Sequence, residues 1–223
     1  MKKVVGMIMY LLCITLMLWA IRFSSSDGAI LARSYSALNN RPVDDATYQA
    51  VHINYENPMI ICTDSELMEK LTDDHTGFVY FGSATCPYCR NTLPLLLEVM
   101  KQNNIQDMLT CDLKKYNYRY EVVNGNLTET QAGTKAYCAL LDLMQKYASE
   151  KVVYDDAGNK YDTDVKTIYM PAIVFFENGK PVRCWQYSTA NVKLNPGQNA
   201  YDLLSEDQKG QVVESLRDFL HAD

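Results

Sequence analysis

The chain has 223 residues, close to half of them apolar, with 21 lysines and arginines against 27 aspartates and glutamates and a net charge of −6. An acidic chain without a Lys/Arg cluster excludes nucleic acid as a partner, since that ligand asks for a basic footprint. The apolar fraction suffices for one buried core of ordinary size, and the sixteen tyrosines describe a folded chain rather than a disordered one.

The first predicted element is the opening "MKKVVGMIMYLLCITLMLWAIRF". Lys2 and Lys3 precede an unbroken apolar run from Val4 to Ile21, which Arg22 closes. A run of about 18 apolar residues is just long enough to span a bilayer. The flanking lysines favour an N-in orientation, so residues 1–23 are expected to be a single-pass N-terminal membrane anchor with the rest on the extracytoplasmic side. The alternative is a signal segment removed at the weak Ser24-x-Ser26 site, and the protein is then secreted. Cys13 reads as an apolar residue of this segment.

Residues 24–50 mix polar residues with no sustained period and read as a linker. The domain proper is expected over 51–223. "NPMIICTD" is a short strand, followed by a helix whose Thr63 and Glu66 stand at capping-box spacing. "GFVYFGSAT" is a continuous apolar run of strand length, as in a strand buried on both faces. From Pro87 to about Asn103, Leu93, Leu96, Leu97 and Met100 recur at helical spacing, so Cys86 and Cys89 sit where a strand hands over to a helix. "IQDMLTCDL" makes another strand. A detour over about 114–166 carries an inserted helix, with a capping box at Thr128 and Gln131, expected to pack near the face that bears the cysteines, and then a polar-tipped hairpin or loop. "AIVFFENGKPVRCWQY" is a hairpin turning at Asn178–Gly179, and Ser205 with Gln208 caps a last helix.

Three chemistries want cysteines at C-x-x-C spacing. A zinc site needs four ligands, but no second C-x-x-C is present and His52, His75 and His221 are scattered singly. A structural bridge closing so short a loop removes little unfolded-state entropy and tends to be strained. A redox dithiol explains the placement best. A cysteine at the first turn of a helix feels unsatisfied N–H groups and the positive end of the macrodipole, which favour its thiolate. Cys86 is so placed. Cys89 follows one turn on, more covered, able to resolve a mixed disulfide formed at Cys86. Pro87 fits an early helical position that needs no N–H donor.

The strand "FVYFGSAT", the motif "CPYC", Pro94 five residues beyond Cys89, and "MPAIVFFENGKPV" together resemble the thioredoxin superfamily. Within it the chain looks most like membrane-anchored thioredoxin-like proteins of bacteria, including the bacteriocin-transport accessory type. The resemblance covers about Met59 to Leu220. It implies a thioredoxin fold, a mixed central sheet flanked by helices, and a cis-proline at Pro171 lying against the dithiol. It further implies that Met170, Pro171 and Ala172, with Pro87 and Tyr88, bind an extended substrate peptide. The implied activity is thiol–disulfide exchange on cysteine-containing exported proteins or peptides, with no cofactor beyond the Cys86–Cys89 disulfide and a separate redox partner to recycle it.

The departures from the family pattern carry information. Thr85 stands where thioredoxins have Trp, and Pro87–Tyr88 is the glutaredoxin type of dipeptide, yet the glutaredoxin glutathione signature is missing. Tyr80 replaces the buried Asp that takes the resolving thiol's proton. Both changes favour the thiolate, which implies a potential nearer about −200 mV than the about −270 mV of thioredoxin. Cys62, Cys111, Cys138 and Cys184 read as buried small hydrophobes whose pairing the sequence leaves open; in the resembled strand order, Cys62 and Cys184 fall at opposite edges. The rival reading is a non-catalytic accessory or chaperone-like module that holds a secreted peptide in the same groove.

Overall fold

The computed structural model describes residues 7–15, 17 and 26–221. Residues 7–15 are helical, and among the described residues no helix is long and apolar enough to cross a membrane. The anchor expected over 1–23 lies largely outside the described residues.

The central element is a five-stranded mixed sheet in the order β11-β10-β4-β5-β3. β3 (Met59–Ile61), β4 (Gly77–Phe81) and β5 (Met108–Cys111) run parallel, with β5 in the middle of the three. β10 (Ala172–Glu177) pairs antiparallel with β4, and β11 (Lys180–Gln186) antiparallel with β10. The hairpin turns at Asn178 and Gly179 with φ of 49° and 71°, the left-handed pair that a two-residue turn requires. A side chain at Gly179 would also collide with the Leu71 carbonyl.

Helices cover both faces. On one face α3 (Pro87–Gln102) and α5 (Glu206–His221) pack Leu93, Leu96, Val212 and Leu216 against Tyr80, Ile173 and Trp185. On the other, α2 (Asp64–Thr72) and α4 (Lys135–Leu143) pack Leu67, Leu71, Tyr137 and Leu140 against Val79, Phe81, Val174 and Phe176. Strand alternation sorts these residues: Val79 and Phe81 face one layer, Tyr80 between them the other. The expected capping boxes are present, Thr63 with Glu66 on α2 and Ser205 with Gln208 ahead of α5.

Two regions depart from the sequence-based expectation. The supposed linker is folded from Asp27 on. α1 (Asp27–Ser36) is capped by Ser26, buries Ala32 and Tyr35 in the α3–α5 layer, and lends the Asp27 carboxylate to the Ile61 N–H at 3.1 Å. That bond covers part of the free edge of β3. A short hairpin, β1 (Pro42–Val43) with β2 (Ala46–Thr47), follows. The inward stripe Ala29, Ala32, Tyr35 is too weakly apolar to register as a period.

The second departure concerns residues 114–166. Asn126–Gln131, expected to begin a helix, is instead β7, paired with β6 (Arg119–Val123) across a turn at Asn124 and Gly125 with φ of 51° and 77°. α4 begins only at Lys135, where Thr134 accepts the Tyr137 N–H. It lies with α2, on the face opposite α3, and the Thr134 hydroxyl reaches the Asp64 carboxylate at the start of α2. β8 (Ser149–Tyr154) and β9 (Lys160–Thr167) form the anticipated hairpin.

Candidate active site

Cys86 is the N-cap of α3, extended at φ −91° and ψ 117°, and Pro87 is the first helical residue. The cap role falls to the thiol itself: the Cys89 N–H donates to Cys86 Sγ at 3.2 Å. The Cys89 thiol lies fully buried behind it, placed to share a proton with the same sulfur. These contacts hold the Cys86 thiol below its ordinary pKa. The Cys89 thiol contributes most, followed by the backbone N–H of Cys89 and the positive charge of Lys114, against an opposing burial effect. Cys89 moves the other way, pushed well up by burial and by the neighbouring Cys86 thiolate. The two sulfurs therefore differ: Cys86, 7% exposed, is favoured as a thiolate, and Cys89, fully buried, as a thiol.

The opposite wall is the turn before β10. Met170–Pro171 is a cis peptide, and Cys86 Sγ lies 3.6 Å from the Met170 carbonyl. Met170 is half-buried and Pro171 buried. Ala172 is fully buried and paired on both sides, with Phe81 and Gln186, so Met170 is the part of this turn that faces Cys86. Pro87 and Tyr88 are half-buried, with the Tyr88 ring 4.8 Å from that of Tyr187. Of the residues named from sequence, the structure thus gathers Cys86, Cys89, Pro87, Tyr88, Met170 and Pro171 at one point, and sets Ala172 into the sheet beneath them.

Several further residues complete the site. Arg90, fully buried beside Cys89, meets no carboxylate among the described residues; its guanidinium donates to the carbonyls of Gln49 (2.7 Å), Tyr35 (3.0 Å) and Ala84 (3.1 Å) and to the Asn39 side-chain oxygen. The faces of Tyr35 and Tyr48 lie 5.7 and 5.4 Å from it. Gln49 also donates to the Pro87 carbonyl at 2.9 Å. The segment that reads as a linker is thus bonded into the cysteine loop. Below Cys89 lie the buried hydroxyls of Tyr80 and Tyr35, near the thiol and each other but without a well-formed hydrogen bond; burial pushes both phenols well up. Gly82 makes room for Tyr80, since a Cβ there would sit 2.3 Å from its ring. On the outer side Ser83 donates to Asp112 at 3.1 Å, and Lys114 Nζ to the Thr85 hydroxyl at 3.0 Å. A cleft of about 760 Å³ opens there, lined by Lys114, Lys115, Arg119 and Lys151 as well as Asp112 and Glu121.

Arg90 and Tyr35 carried no readable signal, because their partners are backbone carbonyls and a helix hidden in an apparently aperiodic stretch. Comparison of the chain with family models, with curated proteins and with solved structures finds no match.

Proposed function

We propose that the chain is a thiol–disulfide oxidoreductase of thioredoxin-like fold, acting through Cys86 and Cys89. The observation that carries this reading is the helix start itself: Cys86 Sγ caps α3 by accepting the Cys89 N–H, while the Cys89 thiol is buried directly behind it. A structural bridge needs neither the cap nor the asymmetry. The strand order and the placement of α2 and α4 opposite α3 and α5 support the fold assignment, with α4 taking the place of that fold's crossover helix and the hairpins as the additions.

The exchange follows from the geometry. The Cys86 thiolate attacks one sulfur of a substrate disulfide; the other sulfur leaves as a thiolate and takes up a proton. Cys89 then gives up its proton and attacks Cys86 Sγ, releasing the second substrate thiol. The substrate disulfide gains two electrons and two protons, and Cys86–Cys89 becomes the disulfide. The reverse sequence oxidises a substrate dithiol. Met170 and Tyr88 flank the approach to Cys86 and suit an extended peptide. The substrates proposed are cysteine-containing exported proteins or peptides, with a membrane-side partner recycling the pair and the apolar N-terminal segment holding the domain at the membrane. The favoured Cys86 thiolate stabilises the reduced form and so points to a potential less negative than about −270 mV.

The test is reduction of a disulfide-linked fluorescent peptide by the full chain in a glutathione or dithiothreitol cycle. Turnover is expected to vanish in Cys86→Ser, whereas Cys89→Ser should accumulate a mixed disulfide at Cys86. Unchanged turnover in Cys86→Ser overturns the reading.

A further inference from the structure

Outside this site, two more cysteines stand side by side on neighbouring strands. Cys62 directly follows β3 and Cys111 ends β5; the register Ile61 with Thr110 continues into Cys62 beside Cys111, and the Cys62 N–H donates to the Thr110 carbonyl at 2.9 Å. Both side chains project into the layer under α2 and α4, among Leu67, Val79 and Phe81. Cys62 is 4% exposed and Cys111 0%. The Cys62 S–H donates to the Thr110 carbonyl at 3.4 Å. Neighbouring strands lie about 4.8 Å apart, within the roughly 4.4–6.8 Å that bridged Cα atoms span.

We propose that Cys62 and Cys111 are a second redox pair, closing to a disulfide by exchange with a small disulfide such as oxidised glutathione. Three features beyond proximity support this. Cys62 lines a surface cleft of about 420 Å³ together with Ile61, Glu66, Glu69, Lys70 and Asp73, an opening of the size of a small disulfide rather than of a folded protein. Cys62 stands immediately before the N-cap of α2, as Cys86 is itself the N-cap of α3. The pair also repeats the asymmetry of the first: the neighbouring Cys111 thiol holds Cys62 below its ordinary pKa against the opposing effects of burial and Glu66, while Cys111 is pushed up by Cys62 and by burial.

The steps balance. The Cys62 thiolate attacks the oxidised glutathione disulfide, and one glutathione leaves as a thiolate that takes up a proton. Cys111 loses its proton and attacks Cys62 Sγ, and the second glutathione leaves likewise. Two electrons and two protons pass to glutathione. The product ties the edge strand β3 to β5 and closes a long loop around β4 and α3, the kind of closure that restrains the unfolded chain most.

The experiment uses the full chain in detergent, both wild type and Cys86→Ser/Cys89→Ser, equilibrated in glutathione buffers of rising oxidised fraction, acid-quenched, alkylated under denaturing conditions and digested with trypsin. Lys70, Arg90 and Lys101 place Cys62, the Cys86–Cys89 pair and Cys111 on separate peptides, so wild type reports the same linkage if the double variant does not fold. The expected result is a Cys62–Cys111 linked peptide in both proteins, with the two thiols lost together, and a glutathione adduct at Cys62 that persists in Cys111→Ala. The proposal is overturned if both thiols stay alkylatable at every ratio, if glutathione adducts form without resolving in wild type, or if either sulfur links to Cys138 or Cys184 instead. Because the double variant lacks the first dithiol, this result is independent of the function proposed above.

Discussion

The two thiol pairs make an instructive contrast, because they share a chemistry of contact but not of surroundings. Cys86 receives backbone N–H groups and the field of Lys114, and its thiolate keeps those partners after Cys89 has moved to attack. Cys62 owes its lowered pKa chiefly to the neighbouring Cys111, the very group that must give up its own proton to resolve a mixed disulfide. Polar groups also surround the first pair from below, with Arg90, Tyr80 and Tyr35 within its layer, whereas the second is packed under Leu67, Val79 and Phe81, with Glu66 and Lys70 at its outer edge. Fast, repeated exchange suits the first setting. Slow closure that locks an edge strand suits the second.

Arg90 gives the largest effect by which this contrast can be broken. Arg90→Met removes every donor at once and leaves the Gln49, Tyr35 and Ala84 carbonyls buried without their partner. At about 1–3 kcal/mol for each buried acceptor left unsatisfied, partly offset by relaxation, a loss of about 3 kcal/mol or more is expected. Urea unfolding monitored by tryptophan fluorescence measures it. Arg90→Lys should recover little, since one ammonium cannot reproduce the fork. In the fraction still folded, Cys86 alkylation should change while Cys62–Cys111 linkage does not. A loss under about 1 kcal/mol would mean that the N-terminal segment is not held by this residue.

That segment also marks how far the sequence can be read. The strand-to-helix handover at Cys86, the sheet strands, the Asn178–Gly179 hairpin and two capping boxes follow from local chemistry: apolar runs, turn residues and S/T-x-x-E/Q spacing. Asn124–Gly125 is the same kind of signal, and reading it would have made Asn126–Gln131 a strand; the Thr128–Gln131 spacing competes with it and loses, because the hairpin pairs five of the six residues of β7. Arg90 lay beyond reach for another reason. A charged residue on a helix reads as solvated, and only the tertiary fold shows four acceptors converging on it, three of them from the distant residues 35–49. The adjacency of Cys62 and Cys111 is likewise a property of strand order.

A smaller effect comes from Lys114. Its positive charge near Cys86 favours the thiolate, so Lys114→Gln should raise the Cys86 pKa and reduce the thiolate fraction at neutral pH. A decrease of about two- to threefold in the iodoacetamide rate is expected, shrinking at high salt, as befits one partly screened charge. The rate should rise with pH through the Cys86 pKa in both proteins, with the inflection displaced upward in the variant. The sign for stability follows from the same shift. A thiol whose folded pKa lies below its unfolded value contributes stability above the unfolded pKa, and that contribution fades as pH falls through the folded pKa. Alkylation of Cys62 should not respond to Lys114. An equal slowing at both cysteines would point to a general change in structure.

The smallest effect is also the most specific to the first pair. Tyr80 stands in β4 under Cys89, near enough that its hydroxyl can turn to the thiolate as that forms and so ease the proton loss that resolution needs. With the hydroxyl gone, the Cys89 thiolate has one donor fewer in a buried place, and a mixed disulfide at Cys86 should persist longer. The loss of one such bond, about 1 kcal/mol, corresponds to roughly a fivefold slower resolution. Stability should move the other way or not at all. The hydroxyl is buried without a well-formed bond in the reduced protein, so Tyr80→Phe removes a desolvated polar atom and is expected to leave unfolding within about 1 kcal/mol of wild type, on the stabilised side. The ring, which Gly82 accommodates, is retained. Quenched-flow trapping of the glutathione adduct at Cys86 measures the resolution step directly, and the Cys62–Cys111 linkage in the same samples serves as the internal reference, since no hydroxyl lies among the side chains around it that Tyr80→Phe would alter. A variant that resolves as fast as wild type would show that Cys89 loses its proton by another route, with Ser83, whose backbone also stabilises the Cys89 thiolate, as the next group to test.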